Sequence, residues 1–155
     1  MKIALIDDQQ SILNIYRTML VKSGALADSE LMTFSGIASY LDVYTLPLNT
    51  LSEKTIHERI ASSVCPFDAV ICDYNLGKDS INGYSFLFHL QEAGYVGLSI
   101  LLTGDNSDEM KVRMEHAPTL YYVFKGSREK DKNPYVVLKQ IFNNLRAEQV
   151  LKGAR

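Results

Sequence analysis

Acids, a hydroxyl and an ammonium recur in this chain at one kind of place, directly after a short apolar run. Ile3 to Ile6 leads into Asp7-Asp8, Ala69 to Cys72 into Asp73, Ser99 to Leu102 into Thr103-Gly104, and Leu120 to Phe124 into Lys125-Gly126. Apolar runs of this length bounded by turn formers read as buried strands. If they lie in one parallel sheet, their C-terminal ends share an edge, and that edge is where open α/β sheets bind ligands. Three carboxylates gathered there repel and raise one another's pKa unless a cation intervenes. A hard divalent ion with oxygen ligands resolves the conflict, and Mg²⁺ is the usual choice where phosphate is handled by one or two carboxylates plus waters. Such an ion neutralises an incoming phosphoryl group, Lys125 adds a point charge, Thr103 offers a hydroxyl, and Gly104 leaves room for the group to enter. These are the parts of a metal-assisted phosphoryl site.

Each residue has a plainer role when taken singly. Asp73 can start a turn, Asp8 can cap the helix that follows, Thr103 can be a turn hydroxyl, Lys125 a solvated strand end and Asn75 a loop former. A cap explains only one of two adjacent acids, however, and the joint placement at four strand ends favours the chemical reading.

The elements that must position these residues alternate strand and helix five times, which predicts a parallel sheet with helices on both faces. The first strand, residues 2 to 6, is followed by a helix over Gln9 to Lys22 with Ile12, Ile15, Tyr16, Met19 and Leu20 on one face and Gly24 as its stop. A weaker strand over Ser29 to Phe34 precedes a helix from Ile37 to about Leu46, burying Ile37, Tyr40, Leu41 and Tyr44 and ended by Pro47. Thr50-Leu51-Ser52-Glu53 has the form of a capping box opening a further helix with Ile56 and Ile60 inward. After the Asp73 strand and its loop, Gly83 to Ala93 is a helix with Phe86, Leu87 and Leu90 inward. Ser107 to His116 is a helix whose apolar face is chiefly Met110 and Met114, so it can shift cheaply. Asn133-Pro134 opens the last helix, with Val137, Leu138, Ile141, Phe142 and Leu145 inward.

Composition narrows the function classes. A chain of 155 residues is one domain by size and buries about 68–70% of its unfolded surface without a staple. The formal charge of −2 disfavours a dedicated nucleic-acid module. No apolar run approaches the ~20 residues needed to span a bilayer, and Met1-Lys2 runs straight into a strand ending in acids, so a cytoplasmic protein without membrane association is expected. Cys65 and Cys72 read as buried or half-buried thiols, and His57, His89 and His116 are scattered, which argues against a thiolate or imidazole metal site.

An acid pair after the first strand, Asp73 after the third, Thr103 after the fourth and Lys125 after the fifth resemble the receiver domain of two-component response regulators, the CheY-like family. The intervals of 30 residues from Asp73 to Thr103 and 22 from Thr103 to Lys125 match that family's usual spacing. The resemblance implies a doubly wound, five-stranded parallel sheet in the order 2-1-3-4-5, the flavodoxin-like receiver fold, over residues 1–150, with residues 151–155 as a tail. It implies phosphorylation of Asp73 by a histidine kinase or phosphotransfer protein, with Asp8 and Asp73 binding Mg²⁺ directly, Asp7 acting largely through water and the Asn75 backbone carbonyl completing the protein ligands. Thr103 and Lys125 then contact the phosphoryl group, and Tyr122 takes the aromatic switch position that passes the signal to an effector protein. Apart from its own phosphorylation and dephosphorylation, no enzymatic activity is implied.

Three departures stand out. Residues 47–65 form an extra helical segment between the second and third strands, the Asp73–Gly83 loop is about two residues longer than the common form, with Gly77 where Pro is frequent, and Gly126 follows Lys125 where Pro is typical. The extra segment contains no residue the chemistry requires, and the Lys125–Gly126 peptide is expected to be trans. Two other classes remain open. A haloacid-dehalogenase-like phosphatase also uses Asp, Thr, Lys and Mg²⁺ but resembles a pattern with acids two apart on the first strand. A receiver-shaped binding module that is never phosphorylated is the other.

Overall fold

The computed structural model of the protein describes residues 1–44, 57–60, 65–77, 81–127 and 129–153. Five strands, β1 (Ile3–Ile6), β2 (Leu31–Phe34), β3 (Ala69–Asp73), β4 (Leu98–Thr103) and β5 (Leu120–Phe124), form one sheet. Every neighbouring pair is parallel, as the alternating sequence predicts, and the order is β2-β1-β3-β4-β5, as the resemblance implies. β3 is buried along its whole length, which is why it reads as an unbroken apolar run and not as an alternation.

Side-chain alternation along the strands divides the core in two. Ala4, Ile6, Val70, Cys72 and Leu101 face α2 (Ile37–Tyr44), α3 (Gly83–Glu92) and Met110 of α4 (Asp108–Glu115). Ile3, Leu5, Ala69, Ile71, Ile100 and Leu102 face α1 (Gln10–Lys22) and α5 (Pro134–Gly153). Each face buries the stripe of the helices packed on it, so the sheet is a rigid partition from which strand-end residues project.

Several local expectations change. The stripe of α1 is rotated: Leu13, Tyr16 and Leu20 are buried, while Ile15 and Met19 are 47% and 42% exposed. The helix is apolar on two overlapping stripes, and packing against α5 selects one, with the Tyr16 and Tyr135 rings 5.0 Å apart. Residues Asp28–Glu30 form a single 3₁₀ turn, so β2 starts at Leu31. The Glu30 carboxylate accepts from the Ala27 backbone N–H at 2.8 Å and pairs with Arg146 at 2.7 Å, which draws this acid out of the strand. Asp8 does not cap α1; Gln9 is the N-cap, and its N–H donates to Asp7 instead. The last helix continues to Gly153, past the expected boundary at residue 150. The expected end of the second helix at Leu46 and the capping box at Thr50 lie outside the described residues, whereas residues 57–60 are helical and bury Ile60. Cys65 and Cys72 are free thiols, half-buried and buried. Among the described residues there is no cis peptide bond, and no helix is long and apolar enough to cross a membrane.

Candidate functional site

β1 and β3 are neighbours in register, Ile6 opposite Cys72, so the residues that follow them emerge side by side. Carboxylate oxygens of Asp7, Asp8 and Asp73 accordingly lie within 4.8 Å of one another. β4 and β5 deliver the other two groups: Cys72 pairs with Leu101, and Thr103 pairs with Phe124 immediately before Lys125. The Lys125 Nζ donates to Asp73 Oδ1 at 2.7 Å. Asp7, Asp73 and Thr103 are all buried, at 1%, 3% and 1% exposure, in a chain whose other acids are mostly exposed. Above them opens a cleft of about 450 Å³ lined by Gln9, Asp73, Tyr74, Asn75, Thr103, Gly104, Asp105 and Lys125.

Burial sets the electrostatics. It pushes the Asp7 carboxyl up from 3.8 to about 6, opposed by the hydrogen bond from the Gln9 N–H and reinforced by the charge of Asp73. Asp73 is likewise held above the ordinary carboxylate range by burial, with the Lys125 ammonium pulling down and Asp8 pushing up. Two carboxylates that resist ionisation beside a third form a site that favours a cation.

One observation of the donor set tests the fit of a metal directly. Asp8 Oδ1 is buried and has no hydrogen-bond partner among the described residues, which is costly for a carboxylate oxygen. An all-oxygen group of two or three acids suits Mg²⁺ or a similar hard ion, and the residues present fit it. Asn75 lines the same cleft, its side chain accepting from the Gly77 N–H at 3.3 Å.

Two glycines that composition alone did not mark as functional shape this edge. Gly77 has φ +48, and a Cβ there would lie 2.5 Å from Asp8 Oδ2. The loop passes this close to an acid of the cluster because residue 77 lacks a side chain, and its positive φ also favours glycine. A Cβ on Gly83 would lie 2.0 Å from the Asp73 carbonyl oxygen, so the start of α3 closes directly onto the acid's own peptide. Gln9 also escaped the sequence reading, although it adjoins the acid pair; its N–H holds Asp7 Oδ1 at 2.8 Å.

The remaining expected residue, Tyr122, lies on β5 and packs half-buried at the rim of the α3 face. Its hydroxyl donates to the Asp105 carbonyl, while the Asp105 N–H donates to Thr103 Oγ1 at 2.9 Å. Thr103 and Tyr122 are thus joined through a single residue. The extra segment enters the site nowhere among its described residues: Ile60 packs in the core under α2, and Arg59 pairs with Asp42 at 2.9 Å.

Comparison with solved structures decides the fold. The chain is similar to the BeF3-activated receiver domain of DrrB, at 23% identity over 94% of this chain and 97% of that one, with a TM-score of 0.61. The fold is that of a receiver domain. A CheY-like receiver domain protein from Methanospirillum hungatei is 19% identical, covering 96% of this chain and 95% of its own, with a TM-score of 0.61. The Thermotoga maritima response regulator DrrB, an OmpR/PhoB homologue, is 24% identical over 95% of this chain with a TM-score of 0.62, and the match spans 53% of its length. No protein-family model matches the sequence, and no curated protein matches it. In this receiver fold the three acids, Thr103, Lys125 and Tyr122 stand at one edge of the sheet, around the C-terminal ends of β1, β3, β4 and β5.

Proposed function

We propose that this protein is a phosphoacceptor receiver of a two-component or phosphorelay system, modified on Asp73. The observation that carries the proposal is the contact of Lys125 Nζ with Asp73 Oδ1 at 2.7 Å, inside a cluster of three carboxylates and under an open cleft. A surface ion pair would be commonplace. Here the acid is buried and its partner reaches it from the end of another strand.

The reaction is transfer of a phosphoryl group to a carboxylate oxygen of Asp73. The bond from phosphorus to the donor, a phosphohistidine nitrogen of a histidine kinase or phosphotransfer protein or the acyl oxygen of acetyl phosphate, breaks as the new P–O bond forms. The leaving group takes the electron pair. Asp8 and Asp73, with the Asn75 backbone carbonyl and with Asp7 through water, would hold Mg²⁺, which supplies charge neutralisation for the phosphoryl oxygens. Lys125 contributes a second cation that moves from the free carboxylate oxygen to a phosphoryl oxygen, and the Thr103 hydroxyl, whose oxygen accepts from the Asp105 N–H, donates its proton to another phosphoryl oxygen and is drawn toward it. Because Asp105 also holds Tyr122, a change at Thr103 reaches β5 and α4, and an effector protein reads the altered surface. The protein's partners in this reading are proteins of the cytoplasm, and the charge of −2 disfavours a nucleic-acid contact of its own.

Incubation with acetyl phosphate and Mg²⁺, followed by intact mass measurement, tests this reading. A gain of one phosphoryl group that disappears in Asp73→Asn and on chelation of the metal is expected. Retention of the gain in Asp73→Asn overturns it.

A further inference from the structure

Among the described residues, α4 buries fewer side chains than α2 or α3 on the same face of the sheet. Met110 is its single buried residue, and Met114 is only half-buried. Apolar packing of that extent does not fix a helix, so polar contacts must set its position.

Those contacts converge on Arg113. Its Nη1 donates to the Tyr74 hydroxyl at 2.9 Å, and its Nη2 pairs with Glu109 one turn earlier at 2.9 Å. Its backbone carbonyl in turn accepts from the Tyr84 hydroxyl at 3.4 Å. Tyr74 is the residue immediately after Asp73, and Tyr84 lies in the first turn of α3. The main chain of Tyr74 is itself fixed, its N–H donating to Leu102 at 2.8 Å and its carbonyl accepting from Gly83 at 3.0 Å. Two tyrosines on the β3–α3 side thus grip one residue of α4, and one of them is bonded covalently to the acid of the site.

We propose that Arg113, clamped by Tyr74 and Tyr84, is a positioning residue that holds α4 in the resting state and ties its release to Asp73 through the Tyr74 side chain. The proposal rests on the phosphoacceptor reading of Asp73 and adds a second route to α4, separate from the path through Thr103, Asp105 and Tyr122. The clamp is present while Lys125 Nζ bonds Asp73 Oδ1, a contact that a phosphoryl group on that oxygen would displace. A phosphoryl group on Asp73 crowds the cleft that Tyr74 lines, and because the Tyr74 main chain is held by Leu102 and Gly83, the ring must turn about its side-chain bonds, which draws its hydroxyl away from the guanidinium. Linkage then requires the converse: removing the clamp lowers the cost of the activated state and tightens binding of a phosphoryl mimic by the same factor that it loosens α4.

The test uses the full chain with beryllofluoride and Mg²⁺, in wild type, Tyr74→Phe, Arg113→Met and the double variant. Tyr74→Phe removes one hydroxyl, and Arg113→Met keeps the aliphatic stem at a position already open to solvent, so both preserve the core. Without ligand, amide exchange in residues 108–116 should rise about two- to tenfold in each single variant, the range expected for one partly exposed hydrogen bond to a charged group. The double variant should rise no further than Arg113→Met alone, because the bond that Tyr74→Phe removes is already lost in Arg113→Met. Beryllofluoride affinity, which a merely structural arginine would leave alone, should rise by a similar factor. Wild-type binding of beryllofluoride with unchanged affinity in the variants overturns the clamp, as does strict additivity in the double variant. Failure of the wild type to bind beryllofluoride removes the phosphoacceptor reading, and the clamp's regulatory role falls with it.

Discussion

Replacing Asp7 with Asn should stabilise the metal-free protein at neutral pH, although Asp7 belongs to the acid cluster. Its carboxyl is pushed from 3.8 to about 6, chiefly by burial and further by Asp73 and Asp8. The sign follows from linkage: the unfolded chain releases this proton near 3.8 and the folded protein only near 6, so ionisation is penalised in the folded state alone. The penalty is absent below the unfolded value, grows as pH rises, and is complete above the folded one. A rise of that size corresponds to roughly 3 kcal/mol at 1.36 kcal/mol per pH unit. Relaxation and water penetration around the ionised carboxylate reduce the figure to about 1–2 kcal/mol. An Asn Oδ1 can keep the hydrogen bond from the Gln9 N–H that Asp7 now accepts. Urea unfolding in the presence of a chelator, followed by far-UV circular dichroism at about pH 7.5 and about pH 4, measures the difference. Asp7→Asn should be the more stable at the higher pH and level with wild type at the lower. Equal stabilisation at both values would refute the argument, since a pH-independent gain cannot come from a suppressed ionisation. Destabilisation at pH 7.5 would do so as well.

Other consequences are open to measurement. Gly77→Ala should weaken Mg²⁺ binding about tenfold, roughly the effect of disturbing a ligand's surroundings, because the new Cβ meets Asp8 Oδ2; a spectroscopic Mg²⁺ titration with unchanged affinity would show that the loop yields freely. The same titration on Asp8→Ala should show loss of binding and, without metal, no loss of stability, since Asp8 Oδ1 has no protein partner to lose. Added phosphate esters such as p-nitrophenyl phosphate should not be turned over; sustained hydrolysis would favour the phosphatase reading over the receiver.

Much of the fold and the site was legible because both are written at strand ends. Asp7, Asp8, Asp73, Thr103 and Lys125 each follow an apolar run, and once the runs pair in parallel the residues have nowhere else to go. What stayed hidden depends on contacts between distant segments. The inward face of α1 could not be chosen from Ile12, Leu13, Ile15, Tyr16, Met19 and Leu20, because both stripes are apolar and α5, more than a hundred residues away, makes the choice. Glu30 looked like part of a strand until Arg146 drew it into a turn. The role of Gly77 needed the position of Asp8, and that of Arg113 needed Tyr74, 39 residues earlier. Local pattern carries burial and element type; it carries no information about which distant polar group completes a pair.

The central claim is that Asp73 itself receives the phosphoryl group. An acyl phosphate, unlike a phosphoester, is reduced by borohydride to the alcohol, which converts a phosphorylated aspartate to homoserine. Treating the protein with acetyl phosphate and Mg²⁺, reducing it and mapping its peptides by mass spectrometry reads the acceptor residue by residue. The account predicts homoserine at position 73, absent when Mg²⁺ is chelated. Homoserine at Asp7 or Asp8, or a phosphoester on Thr103, would contradict it.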